Sequence, residues 1–150
     1  MSARILLPVD QSDQATAACE LAIELFEDGT LVLLHVIDPA EASFSAETAI
    51  PNIPDSWYER EKERADEQFT ELERLASAAG VETERVVEVG KPAQTIVEKA
   101  TEGEIDHIVM GSHGRQGVSR LLLGSVAENV VRRSPVPVTV ARSGAEETDG

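Results

Sequence analysis

Cysteine, aromatic residues, lysine and long apolar runs are all scarce in this chain. The single cysteine, Cys19, excludes an intrachain disulfide. Apolar runs such as Leu31 to Leu34 fall far short of the roughly 20 residues that a bilayer-spanning helix requires. The N-terminus has no basic stretch followed by an apolar one, so no secretory signal is expected and the protein is expected in the cytoplasm. Also missing are Gly-x-x-x-x-Gly-Lys-Ser/Thr, Gly-x-Gly-x-x-Gly, Gly-x-Ser-x-Gly, His-Glu-x-x-His and any cysteine pair. The P-loop, the dinucleotide fingerprint, the nucleophile elbow and the common zinc motifs are thereby excluded. Acid, in contrast, is abundant, with 28 Asp+Glu against 13 Lys+Arg and a net charge of −15. Such a surface repels phosphate backbones and anionic lipid, so neither nucleic acid nor membrane is expected as a general partner. A carboxylate-rich surface with so few lysines has a second reading as adaptation to high salt, where dense carboxylates maintain hydration.

The 150 residues suit one domain, expected over residues 1–142, with a frayed polar tail over 143–150. A fold of this size buries about 70% of the surface its unfolded chain exposes, enough to stand without disulfides or structural metals. Residues 3–9 form an apolar run that predicts a buried strand. Ala15, Ala18, Cys19, Ala22 and Phe26 recur at helical spacing, and Gly29 closes that helix. Cys19 on this stripe reads as a packed thiol. Residues 30–37 predict a second central strand, and the proline-punctuated stretch 38–56 predicts a functional flap or a mobile loop. Ser56 and Glu59 make a capping box ahead of a long helix that buries Trp57, Ala65, Phe69, Leu72, Ala76 and Ala79 and stops at Gly80. Its surface offers the opposite-charge pairs Lys62–Asp66, Glu61–Arg64 and Glu71–Arg74.

Residues 81–89 alternate as in an edge strand with a wet face, and Gly90 ends them. Pro92 opens a third helix that buries Ile96, Val97 and Ala100. A strand from Ile105 to Met110, a glycine-rich loop, a helix from Ser125 to Arg133 and a strand from Val136 to Ala141 complete the chain. The alternating order predicts an α/β fold, a mostly parallel sheet with helices on both faces and a ligand crevice at the carboxyl ends of the strands. If the first and fourth strands are neighbours, Asp10 and Gly111 line one pocket. His35 and His107, within strands, read as packed or surface residues.

The chemistry concentrates after the fourth strand. The chain there reads Gly111, Ser112, His113, Gly114, nine residues from Arg115 to Leu123, then Gly124, Ser125 and Val126. Gly111 and Gly114 leave room for backbone N–H groups to turn inward, and Gly124 and Ser125 open a helix whose leading N–H groups attract anions. Within residues 111–133, Arg115, Arg120, Arg132 and Arg133 face only Glu128, a basic island that suggests an anionic ligand, although each arginine could instead sit in a surface ion pair. Ser125 and Glu128 also fit a capping box, so Ser125 reads both as a cap and as a phosphate contact. Asp10 likewise reads either as a ligand contact or as a helix N-terminal residue.

This glycine spacing, with Pro-x-Asp ending the first strand and Pro-Val-x-Val in the last, resembles the universal stress protein family over Ile5 to Arg142. The resemblance implies a five-stranded parallel sheet in the order 3-2-1-4-5, a homodimer, and ATP binding in the subclass with these glycines. It implies that Asp10 contacts the nucleoside, that Pro8, Val9 and the backbone near Val36 border the adenine, and that Met110 and Gly111 close over the sugar. Gly114, Gly124, Ser125 and Val126 would hold the phosphates, accompanied by Mg²⁺, with His113 and Arg115 as further candidates. Gln11 departs from the family, whose members often carry Gly there.

No positioned base for water is evident, so the expected function is an ATP-binding regulatory stress-response protein with at most slow hydrolysis. The alternatives are a nucleotide-dependent enzyme using residues 38–56 as a lid and a dimeric scaffold without ligand. Pro135 and Pro137 suit an edge strand, and Val136, Val138 and Val140, on one face of it, are expected to pack on the partner of a homodimer.

Overall fold

A computed structural model describes residues 3–10, 13–40, 55–112 and 124–141. The elements are β1 (Arg4–Pro8), α1 (Asp13–Leu25), β2 (Thr30–Ile37), α2 (Asp55–Ala78), β3 (Glu82–Val89), α3 (Pro92–Glu102), β4 (His107–Gly111), α4 (Ser125–Arg133) and β5 (Val138–Ala141). All five strands are parallel, in the order β3-β2-β1-β4-β5.

Side-chain alternation along the strands sorts the core into two layers. Ile5, Leu7, Leu31, Leu33 and Val109 face one side, where α1 and α2 cover them with Ala15, Ala18, Cys19, Phe69 and Leu72. Leu6, Val32, Leu34, Ile108 and Met110 face the other, under Ile96 and Ala100 of α3 and Ala127 and Val130 of α4. α1 contributes small residues, Ala15, Ala18 and Ala22, to this layer, and α2 contributes the bulky Phe69 and Leu72. The helices thus cover both faces, as the alternating order of elements predicts.

The long helix α2 ends as Gly80 takes φ +77° and the Val81 N–H bonds to the Ala76 carbonyl at 2.9 Å. The left-handed turn suits glycine, and it leaves Ala79 outside the helix and exposed rather than on the buried stripe. The helix begins at Asp55, so Ser56 lies inside it and is not its cap. Of its three expected surface pairs only Glu61–Arg64 forms, at 3.6 Å, and Glu61 is itself buried because it shares the face of Trp57 and Ala65. Asp66 turns instead to Arg85 on β3, which also binds Glu73 at 2.7 Å and lies over the Phe69 ring. On α3, Thr95 is buried and Val97 only half-buried.

Both edges fall where the sequence pattern places them. β3 exposes Val87 and Val89, and β5 closes the other side. Val136 and Val138, expected on a partner, pack half-buried against this chain's own second core layer, Val138 because it pairs with Ile108 and so shares its face of the sheet. Pro135, Val136 and Pro137 precede β5 rather than belonging to it, although the Pro137 carbonyl still accepts the Ile108 N–H at 2.9 Å.

Candidate functional site

Beside β1 the chain order reverses. β2 lies on one flank and β4 on the other, with Ile5 opposite His107 and Leu6 opposite Ile108. In an open parallel sheet this switch point splays the connections to opposite faces and leaves a crevice at the strand ends. The segments that reach it are Pro8–Asp10 after β1 and Gly111–Ser112 after β4.

The end of β1 is anchored by β2. The Val9 N–H donates to the Leu34 carbonyl at 2.8 Å, and His35 Nδ1, which must carry the proton to face an acceptor, donates to the Val9 carbonyl at 3.1 Å. His35 is only 4% exposed, so it is a packed residue that holds the backbone leading to Asp10. Val9 is itself buried under α1 and α2, and only its main chain can face the crevice. Pro8 and Asp10 are half-buried.

The end of β4 is anchored by three elements. The Ser112 N–H donates to Ala141 of β5 at 2.9 Å, its carbonyl accepts the Gly124 N–H at 2.8 Å, and its hydroxyl donates to Gln14 Oε1 of α1 at 3.2 Å. Gly124 is the N-cap of α4, with φ −68° and no side-chain cap. Ser125 is therefore the first helical residue and exposed, and the capping box does not form: Glu128 accepts from Arg132 at 2.9 Å instead. Gly124 has no side chain with which to cap the leading N–H groups of α4, groups of the kind that attract an anion.

Val36, Met110 and Val126, separate in sequence, belong to one apolar cluster that runs under the crevice on the α3 and α4 side. Gly111 is half-buried beside Met110. His113, Gly114 and Arg115 lie outside the described residues, as do Gln11, residues 41–54 of the expected flap and the tail. Of the basic island, Arg115 and Arg120 lie outside the described residues, whereas Arg132 and Arg133 occupy the last turn of α4, away from Gly124. There they complement the partial negative charge of the helix end. His107 stands near the opposite end of the sheet, with Nε2 2.7 Å from the Thr139 hydroxyl and its ring 5.0 Å from Phe26, and burial pushes its pKa down.

Two contributors escape a sequence reading. Ser112 carried a signal, a hydroxyl beside the glycine that ends a strand, whereas Gln14 carried none, since its part depends on α1 lying across β4.

Fold and crevice together define an open, doubly wound α/β protein. The universal stress protein family matches residues 1–142, and the chain belongs to that family. It is 32% identical to universal stress protein MJ0577 of Methanocaldococcus jannaschii over 155 residues, covering 95% of this chain and 96% of that one. The solved structure of MJ0577 superposes with a TM-score of 0.80 at 31% identity, covering 94% of this chain and 96% of that one. Universal stress protein UspA of Lactobacillus plantarum superposes at 0.79 with 27% identity, covering 94% and 98%. A universal stress protein in complex with cAMP superposes at 0.66 with 26% identity, covering 93% and 97%. Among the described residues no helix is long and apolar enough to cross a membrane.

Proposed function

We propose that this chain is an ATP-binding regulatory protein of the cytoplasmic stress response, with at most slow hydrolysis. The observation that carries the reading is the Gly124 N–H bond to Ser112, which brings the N-terminus of α4, opened by a glycine with no capping side chain, to the end of β4 at the switch point. A related structure holds cAMP, which supports an adenine nucleotide as the ligand class. In this reading Asp10 contacts the nucleoside, the main chain at Pro8, Val9 and Val36 borders the base, and Met110 and Gly111 lie over the sugar. Gly114, Ser125 and Val126 hold the phosphates through backbone N–H groups, with His113 and Arg115 beside them, while Gly124, its own N–H committed to Ser112, makes room for the phosphates by having no side chain. Val126 contributes main chain alone, its side chain being packed in the core. The α4 N-terminus, opened by a glycine, fits phosphate. Among the described residues no group of three His, Cys, Asp or Glu side chains could hold a metal, so Mg²⁺ would enter on the phosphates and supply charge neutralisation there. The reading includes a homodimer along the outer edge of β5, with the open parts of Val136, Val138 and Val140 at the contact.

Calorimetric titration with ATP and Mg²⁺ tests the ligand. Binding by the wild type and its loss in a Gly114→Ala, Gly124→Ala double variant are expected; no binding by the wild type would leave a scaffold. A monomer at micromolar concentration in sedimentation would remove the dimer.

A further inference from the structure

Ser112 is 4% exposed, yet it is a polar residue at the mouth of a crevice. A buried hydroxyl is retained when its hydrogen bonds hold something in place, since a buried polar network specifies one arrangement of its members. The members here come from opposite faces of the sheet. Gln14 belongs to α1, which covers the layer of Leu7 and Val109, and Gly124 opens α4, which covers the layer of Ile108 and Met110. Ser112 links them across the end of β4: its hydroxyl donates to Gln14 Oε1 at 3.2 Å and its carbonyl accepts the Gly124 N–H at 2.8 Å. Gln14 is also pressed against the neighbouring residue: a Cβ on Gly111 would stand 2.7 Å from Gln14 Cβ and 2.9 Å from Oε1. The Gly111–Ser112 peptide is thereby held from the α1 side while it holds the start of α4.

We propose that Gln14 is a positioning residue: through Ser112 it fixes the N-terminus of α4 against the end of β4, and so aims the backbone N–H groups that face an anion. The consequence for phosphate rests on the nucleotide reading above; the positioning itself does not.

Amide hydrogen exchange at Gly124, measured by NMR on the full chain without nucleotide, tests the positioning directly. Gln14→Met keeps the packing against Gly111 and removes the acceptor, whereas Gln14→Glu keeps an acceptor oxygen. Gly124 is expected to exchange roughly five- to tenfold faster in Gln14→Met and to return towards the wild-type rate in Gln14→Glu, with Leu33 in the centre of the sheet unchanged. An unchanged Gly124 rate in Gln14→Met, or equal acceleration of Gly124 and Leu33, overturns the proposal. If Gln14→Met does not fold, Ser112→Ala, expected to accelerate Gly124 in the same way, decides it. Where the wild type binds ATP, Gln14→Met is expected to weaken ATP several-fold and adenosine little; equal weakening of both counts against the role. Failure of the wild type to bind ATP removes the nucleotide reading and leaves the exchange result to judge Gln14.

Discussion

Gly111 and Gln14 occupy one another's space: a Cβ at position 111 would lie 2.7 Å from the Cβ of Gln14, closer than such atoms approach. The glycine at the end of β4 thus answers to the packing of α1, whatever it also does for a ligand. Gln14 Cβ is fixed to the helix backbone and cannot swing aside, so Gly111→Ala must displace α1. The expected loss is about 1–3 kcal/mol, the range for overpacking, read as a lower urea midpoint at unchanged slope.

Gly80 shows the opposite cause. Among the described residues, its chain neighbours aside, no atom lies within 4 Å of where its Cβ would be, but its φ is +77°. Gly80→Ala is expected to cost roughly 1–2 kcal/mol through the backbone alone, and a D-alanine introduced there by semisynthesis should cost nothing. Equal loss with both enantiomers would show that crowding, not handedness, selects glycine.

Cys19 of α1 is fully buried with its thiol 3.9 Å from the Leu72 carbonyl of α2, and burial pushes its pKa up to about 11. A thiol reagent at pH 8 is expected to leave the native protein unmodified and to label one group per chain in denaturant. Rapid labelling of the native chain would contradict this packing.

Acid should weaken the β3 edge of the sheet. The Arg85 guanidinium, bonded to Glu73, holds that carboxyl below its ordinary 4.5, and Arg4 does the same for Glu84. A carboxyl whose folded pKa is depressed adds stability that is present above its unfolded pKa and lost as pH falls through the folded one. The decline should therefore begin near pH 5 and continue below 4.5, modestly, because these pairs are partly exposed and screened. In thermal melts from pH 7 to pH 3, Arg85→Met is expected to flatten the decline; an unaltered slope would deny the pair this role.

Much of the fold was legible in the sequence because the cues were local. Leu31 to Leu34 mark a strand buried on both faces, the alternation of residues 81–89 marks an edge that Gly90 ends, and Gly80 and Pro92 bound the helices. The site was legible in part. The spacing of Gly111, Gly124 and Ser125 identified the segments, but a capping box written in Ser125 and Glu128 was undone once Gly124 took the N-cap and Arg132 took Glu128.

Hydrophobic period, helix punctuation and charge belong to neighbouring residues, and the sequence by itself therefore determined the order of elements, the parallel sheet and the family. Tertiary structure alone decided that Asp66 serves Arg85 rather than Lys62, that Val136 and Val138 pack inward, and that Gln14 and Ser112 meet. Those partners are brought together by the crossing of helices over strands, and no local rule of spacing encodes which side chains then stand within hydrogen-bonding reach.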